Sequence, residues 1–260
     1  MPEIAQTWPQ LVQQLSGTDL QPSELSQVRR GFDQARVLFA GAERPDGRPF
    51  LDHLVGTASG TLLAGAPTDT VVAALVHAAY DEGDFGDTRP GAHERHRHDL
   101  RAAIGREAEA LVHRYHTLGW SPETARRCRT DLDALPPLDR QVLVVRVANE
   151  VDDGLSGALH ISGKLDHRTH TDETHDDLMA IAASLTAPAF VAVARDALRR
   201  DGPPPPAVLV VGRGRSGVQL PASARWSVRR RAHGAARHVR KRGVGLAHRV
   251  HRRLTGPRRP

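Results

Sequence analysis

The sequence predicts an all-α body with a basic C-terminal tail, and three observations carry that expectation. From about residue 23 to about residue 200, apolar residues recur at three- and four-residue steps, the period of a helix. Proline and glycine fall between these runs, where they stop helices, more than inside them. Outside the tail no segment reads as a strand, and no internal repeat is visible.

An N-terminal helical segment, residues 1–22, precedes the body. The helix over 23–40 has Ser23 as its cap, Glu24 in its first turn, and a stripe of Val28, Phe32, Ala35, Leu38 and Phe39. Pro45, Gly47 and Pro49 then break the chain. A helix from about Phe50 to Leu63 ends at Gly65, and its stripe of Phe50, Leu54, Ala58 and Leu62 brings His53 to the buried edge. The next helix opens near Asp69. Val71, Val72, Ala74, Leu75 and Ala78 make it apolar nearly all round, which places it centrally. A polar loop, 81–93, leads to helices at about 96–104 and 106–117. Pro122 and Pro136-Pro137 bracket a weaker stretch. The strongest helix starts after Pro137 and runs to about His160, with Val142, Val145, Asn149 and Asp152 on one face. Helices at about 173–186 and 188–200 close the body at residues 23–200.

Charge is divided unevenly. Residues 1–201 hold 21 Lys+Arg against 30 Asp+Glu, a net of −9, whereas residues 202–260 hold 15 Lys+Arg and no acid. The basic balance therefore belongs to the tail and says nothing about a partner of the body. Residues 201–221 read as a Pro/Gly-rich linker, in which Gly212-Arg213-Gly214 mimics a dinucleotide fingerprint but has neither a helix after it nor an acid downstream to bind a ribose. In residues 222–260, Val228, Ala232, Ala235, Val239, Gly243, Leu246, Val250 and Leu254 recur at helical steps among arginines. Such a rod suits an anionic membrane surface or nucleic-acid phosphates, and the same composition also suits a disordered tail. One cysteine, Cys128, excludes an internal disulfide. With no signal-peptide pattern and no run of roughly 18 apolar residues, the expected location is cytoplasmic, peripheral at the inner membrane surface if the tail binds lipid.

Three polar blocks punctuate the helices: Gly47-Arg48-Pro49-Phe50-Leu51-Asp52-His53, His77-Ala78-Ala79-Tyr80-Asp81-Glu82 and Arg146-Val147-Ala148-Asn149-Glu150. Together with Ile104–Val112 they resemble the HD domain of the alarmone hydrolases of the RelA/SpoT class. Gly-x-Pro-Phe-x-x-His is similar to the Gly-x-Pro-Tyr-x-x-His motif of that domain. Ala73–Glu82 is similar to its Ala-x-Leu-x-His-Asp-x-x-Glu-Asp block, and Arg146–Asn149 to its Lys-Leu-Ala-Asp segment. The resemblance spans roughly residues 25–155, and the His77-Ala-x-Tyr80 variant also resembles an uncharacterised family of HD-like bacterial domains. It implies an HD-like helical bundle in which His53 and His77 hold a divalent metal (manganese, iron or zinc). Asp81 and Glu82 would then assist an attacking water, while Arg44, Tyr80 and Asn149 contact a phosphorylated small molecule.

Two ligand positions depart from that pattern: Ala78 stands where the family has the second Asp, and Asn149 where it has the last. Two imidazoles and a neutral amide make a poor cage for a hard ion, although a softer metal is served if Asp81 or Asp152 moves in. Two readings of the body follow. One is a ligand- or partner-binding pseudoenzyme, which the lost carboxylates favour. The other is a divergent metal-dependent phosphohydrolase. A third places the function in the tail. His93, His96 and His98, and His167, His170 and His175, also have ligand chemistry, but their polar settings suggest a solvated surface.

Overall fold

The computed structural model describes residues 3–87, 89–158 and 172–198, together with positions 206 and 208. The described residues are predominantly helical: α1 (Trp8–Ser16), α2 (Pro22–Leu38), α3 (Phe50–Leu63), α4 (Thr68–Val76), α5 (Ala79–Glu82), α6 (Glu94–Ile104), α7 (Arg106–Leu118), α8 (Pro122–Thr130), a 3-10 turn at Leu132–Ala134, α9 (Pro137–Ser156), α10 (Asp172–Leu185) and α11 (Pro188–Leu198). Among them no strand forms; a lone bridge joins Glu43 and Pro49. No described helix is long and apolar enough to cross a membrane. The linker and tail expected at 201–221 and 222–260 lie outside the described residues apart from Pro206 and Val208, as do His167 and His170.

The helix ends follow from local chemistry. Proline opens α2, α8 and α9 at its first turn, where a missing N–H costs nothing. Gly157 ends α9 in the left-handed region at φ 64°. The central apolar helix is shorter than expected: α4 stops at Val76, Ala78 leaves helical geometry at ψ 8°, and α5 is a single turn. That break turns His77 and the residues after it out of the α4 stripe.

Helix α9 is the spine. Val142 and Val145 face a core built from α1 to α7, and Leu143, Val147, Ala148 and Val151 face a second core shared with α8, α10 and α11. It packs closely on α3 through two glycines one turn apart. A Cβ on Gly60 would sit 3.2 Å from both Ala148 Cβ and the Phe190 ring. A Cβ on Gly56 would lie 1.9 Å from Asp152 Oδ1, so the carboxylate fills the space a side chain would need.

Within the N-terminal helical segment, the described residues from 3 to 22 pack on the body. Trp8 stacks on Phe32 at 3.9 Å, and Leu11 and Leu15 are buried in the same core as α2 to α4. The interaction is apolar area that a short isolated helix could not hide. His96 departs from the solvated setting expected for its cluster. It is buried, stacks on Phe85 at 4.1 Å, and meets Gly91 O at 2.8 Å and Asp87 Oδ2 at 2.9 Å. It therefore clamps the loop before α6, while His98 stays exposed.

Replacing Gly56 with alanine is expected to destabilise the protein by about 1–3 kcal/mol, the usual cost of overpacking. Urea unfolding of Gly56→Ala against the parent chain measures it, with Gly17→Ala, whose added Cβ meets only an ordinary contact, as the control.

Candidate functional site

The three expected polar groups meet. His53, wholly buried on α3, faces Asn149 of α9 across 3.1 Å (Nε2 to Oδ1), and its ring centroid lies 5.3 Å from that of His77 at the end of α4. His77 donates from Nδ1 to the Ala74 carbonyl at 2.8 Å, which leaves Nε2 as the lone-pair nitrogen. Burial, reinforced by the neighbouring His53, pushes the His77 imidazole well below its usual range, so it is neutral at physiological pH.

The strongest contacts lie on the opposite edge of His53. Nδ1 meets Asp152 Oδ2 at 2.7 Å. Asp152 also accepts from Arg48 Nη2 at 2.5 Å and from Gln6 Nε2 at 3.0 Å, and Gln6 Oε1 accepts from Arg48 Nη1 at 2.7 Å. The next residue, Asp153, accepts from Arg44 Nη2 at 2.5 Å. Burial alone would raise the Asp152 carboxyl, but the His53 and Arg48 hydrogen bonds and charges outweigh it and hold the group well below the carboxylate range. Asp153 shows the reverse balance: burial wins over Arg44 and raises it.

A tight turn presents both arginines. Gly47 adopts φ 86°, a conformation that disfavours residues with a Cβ, and its N–H donates to Arg44 O while Arg44 N donates to Arg48 O. Arg44 thus reaches the site as expected, but through Asp153, and Arg48 beside it is the better connected of the two.

The remaining expected residues are placed differently. The Tyr80 hydroxyl does not enter the His53–His77 site. It donates to Glu109 Oε1 at 2.8 Å, in a separate buried network where Arg97 Nε meets the same oxygen at 2.7 Å and Arg101 meets Oε2 at 3.1 Å. A buried carboxylate needs every donor it can gather, and Tyr80 is one of them. Asp81 faces His116 Nδ1 at 3.0 Å, and its side chain is 42% exposed. With Glu82 it forms the end of α5, half-buried.

His53, Asp152 and Asp153 offer ligand atoms within 4.8 Å of one another, the spacing a metal ion needs. The donor chemistry does not fit one. Both carboxylates are already neutralised by guanidinium groups. The Nε2 edge of His53 meets a neutral amide, which hydrogen-bonds the ring in either protonation state by turning over. Ala78, directly after His77, offers a methyl group and no ligand atom. Displacing two buried arginines to admit a cation would leave both without counter-charge. Asp152 does sit beside His53, as the softer-metal expectation required, but on Nδ1, behind the ring.

Sequence reasoning missed Gln6, Arg48, Asp153 and Arg146 as site residues, although Arg48 stood inside the Gly47–His53 block. Gln6 had no readable signal, since it lies outside every motif. Asp153 and Arg146 sat within reach: both stand on the helix that carries Asn149, four and three residues away.

Removing the Asp152 side chain strips Arg48 and the buried Nδ1 edge of His53 of their shared carboxylate, leaving them Gln6 and Asn149 respectively. Asp152→Ala is therefore expected to cost about 3–5 kcal/mol of folding stability, measured by denaturant unfolding. The depressed carboxyl also sets a sign for pH. Its contribution is complete above the unfolded value of about 4 and is lost as pH falls towards the native value, so Asp152→Asn flattens that acid limb. The model of a family described as a domain of unknown function, DUF6817, matches residues 37–119, less than half of the chain, a stretch that takes in His53 and His77 but stops short of α9. No curated protein matches the chain.

Proposed function

We propose that this chain is a degenerate HD-like domain that binds a small ligand without a catalytic metal. The single observation behind this reading is the charge-compensated state of the acids around His53. Asp152 and Asp153 are tied to Arg48 and Arg44, and Asn149 supplies an amide where a ligating carboxylate would be needed. A hydrolytic HD centre works by polarising phosphate and water with a cation. Here the cations are guanidinium groups, which bind oxyanions well but do not generate hydroxide. Asp81 and Glu82, the proposed acid–base pair of the phosphohydrolase alternative, lie at the end of α5 with Asp81 turned to His116. The ligand chemistry that suits the interior is anionic, in keeping with a phosphorylated small molecule.

The specific observation in favour of the metal-dependent alternative is the close cluster of His53, Asp152 and Asp153. Elemental analysis of the full chain, purified without a histidine tag, decides between the two. The expected result is far less than one metal per chain, and no phosphate-ester hydrolysis when manganese, iron or zinc is supplied. Near-stoichiometric metal that is lost in His53→Ala or in His77→Ala would overturn the proposal.

A further inference from the structure

A groove of about 430 Å³ lies between the last turn of α2 and the chain that flanks the Arg44–Arg48 turn. Phe39 and Ala40 at the end of α2, with Pro49 and Leu51 at the start of α3, give it a mainly apolar lining. Its two charged members are Arg36 and Glu43, and Arg36 already meets Asp33 at 3.5 Å. Val37, next to Arg36, is 64% exposed. Such a groove has the size and chemistry to take a few aliphatic side chains.

The chain carries a segment that matches it. Ala207-Val208-Leu209-Val210-Val211 is an unbroken aliphatic run, set between four prolines and an arginine-rich stretch. Val208, a described residue of that run, is 89% exposed, more than any other large hydrophobic residue among those described. Groove and run belong to the same end of the molecule. Helix α11 runs antiparallel to α3: Ala187 N donates to Ala64 O at 3.0 Å, whereas a Cβ on Gly154 would lie 2.6 Å from Ala197 O, next to Asp153, which bonds Arg44. Leu198 therefore finishes α11 at the end of the bundle that bears the Arg44–Arg48 turn. Val208 follows ten positions later, a reach of at most about 33–36 Å.

We propose that the groove receives residues 207–211 of a second copy of this chain, so that two molecules exchange these runs reciprocally. Within a single chain both halves are uncovered, the groove open and Val208 in solvent, and uncovered aliphatic surface of this kind marks a contact. Two copies meeting end to end satisfy both runs and both grooves at once, which closes the assembly as a symmetric dimer. Charge favours the same exchange. Residues 1–201 carry a net −9, residues 202–260 carry 15 Lys+Arg and no acid, and Arg213 and Arg215 follow close behind the run. Body repels body and tail repels tail, but a tail laid on its partner's body is attracted to it. The dimer contact is independent of the ligand-binding reading above.

Light scattering on the nuclease-treated full chain over a dilution series tests this. A dimer is expected. Leu209→Asp, which would set a charge in the apolar groove, should raise its dissociation constant about tenfold or more. Ala40→Arg obstructs the groove itself and is expected to act alike. Circular dichroism checks that Ala40→Arg folds, and Leu209→Asp, placed beyond the helical body, gives the answer alone if it does not. An equal mixture of the two variants pairs one intact run with one intact groove and should recover part of the lost affinity. In the oxidised double variant Ala40→Cys/Leu209→Cys, a disulfide between chains is expected. A parent chain that is monomeric at every concentration overturns the proposal, as does a dimer unaffected by either substitution or a mixture that recovers nothing. A disulfide formed within one chain seats the run in its own groove and overturns it too. None of these results touches metal content, so they leave the metal-free reading to its own test.

Discussion

The carboxylate of Asp152 is the constraint around which the rest is arranged. It is fully buried, and it lies where a side chain on Gly56 would have to be. An ionised group in such a place survives only if several donors reach it. His53, Arg48 and Gln6 do so, from a helix, a tight turn and the N-terminal segment. Three parts of the chain distant in sequence are thereby fixed to α9 at one point. Satisfying that one group orients His53, and so determines which of its ring nitrogens is left for Asn149.

Charge compensation by arginine has a chemical consequence for the whole interior. A divalent ion concentrates charge at a point and acidifies bound water. A guanidinium spreads one charge over a plane and holds oxygens in a fork without changing their protonation. The same acids with metals beside them would favour hydrolysis; with arginines beside them they favour retention. The second buried network, Tyr80–Glu109–Arg97–Arg101, repeats the arrangement away from the site, which shows that this chain regularly neutralises interior carboxylates with arginine.

Much of the fold was legible because helical periodicity and proline placement are local. The ends of α3, at Phe50 and Leu63, and the start of α9 after Pro137 could be read directly. The break between α4 and α5 could not, because Ala78 and Ala79 carry no helix-stopping signal. His53, His77 and Asn149 were legible through their motifs, and their meeting follows from the packing of α3, α4 and α9. The misplacement of Tyr80 has a physical reason: a tyrosine three residues from His77 points elsewhere when a buried glutamate on another helix needs a donor. His96 was misread likewise, since a His/Asp-rich stretch looks solvated until Phe85 supplies a face to stack on. Gln6 was out of reach, because nothing local distinguishes a glutamine that will contact an aspartate 146 positions later.

That last contact bears on the order in which the molecule assembles. Gln6 is synthesised 146 positions before Asp152. The N-terminal stretch can dock on α2 and α3 beforehand, through Trp8 on Phe32 and the Ala5 N–H that donates to Ser59 Oγ at 2.8 Å, but the Gln6 side chain has no Asp152 to meet until α9 has been synthesised. Domains generally acquire structure from their first residues onward during translation. The Gln6–Asp152–Arg48 network therefore closes only once α9 has been made, and a nascent chain stalled before residue 152 lacks the carboxylate that joins these parts.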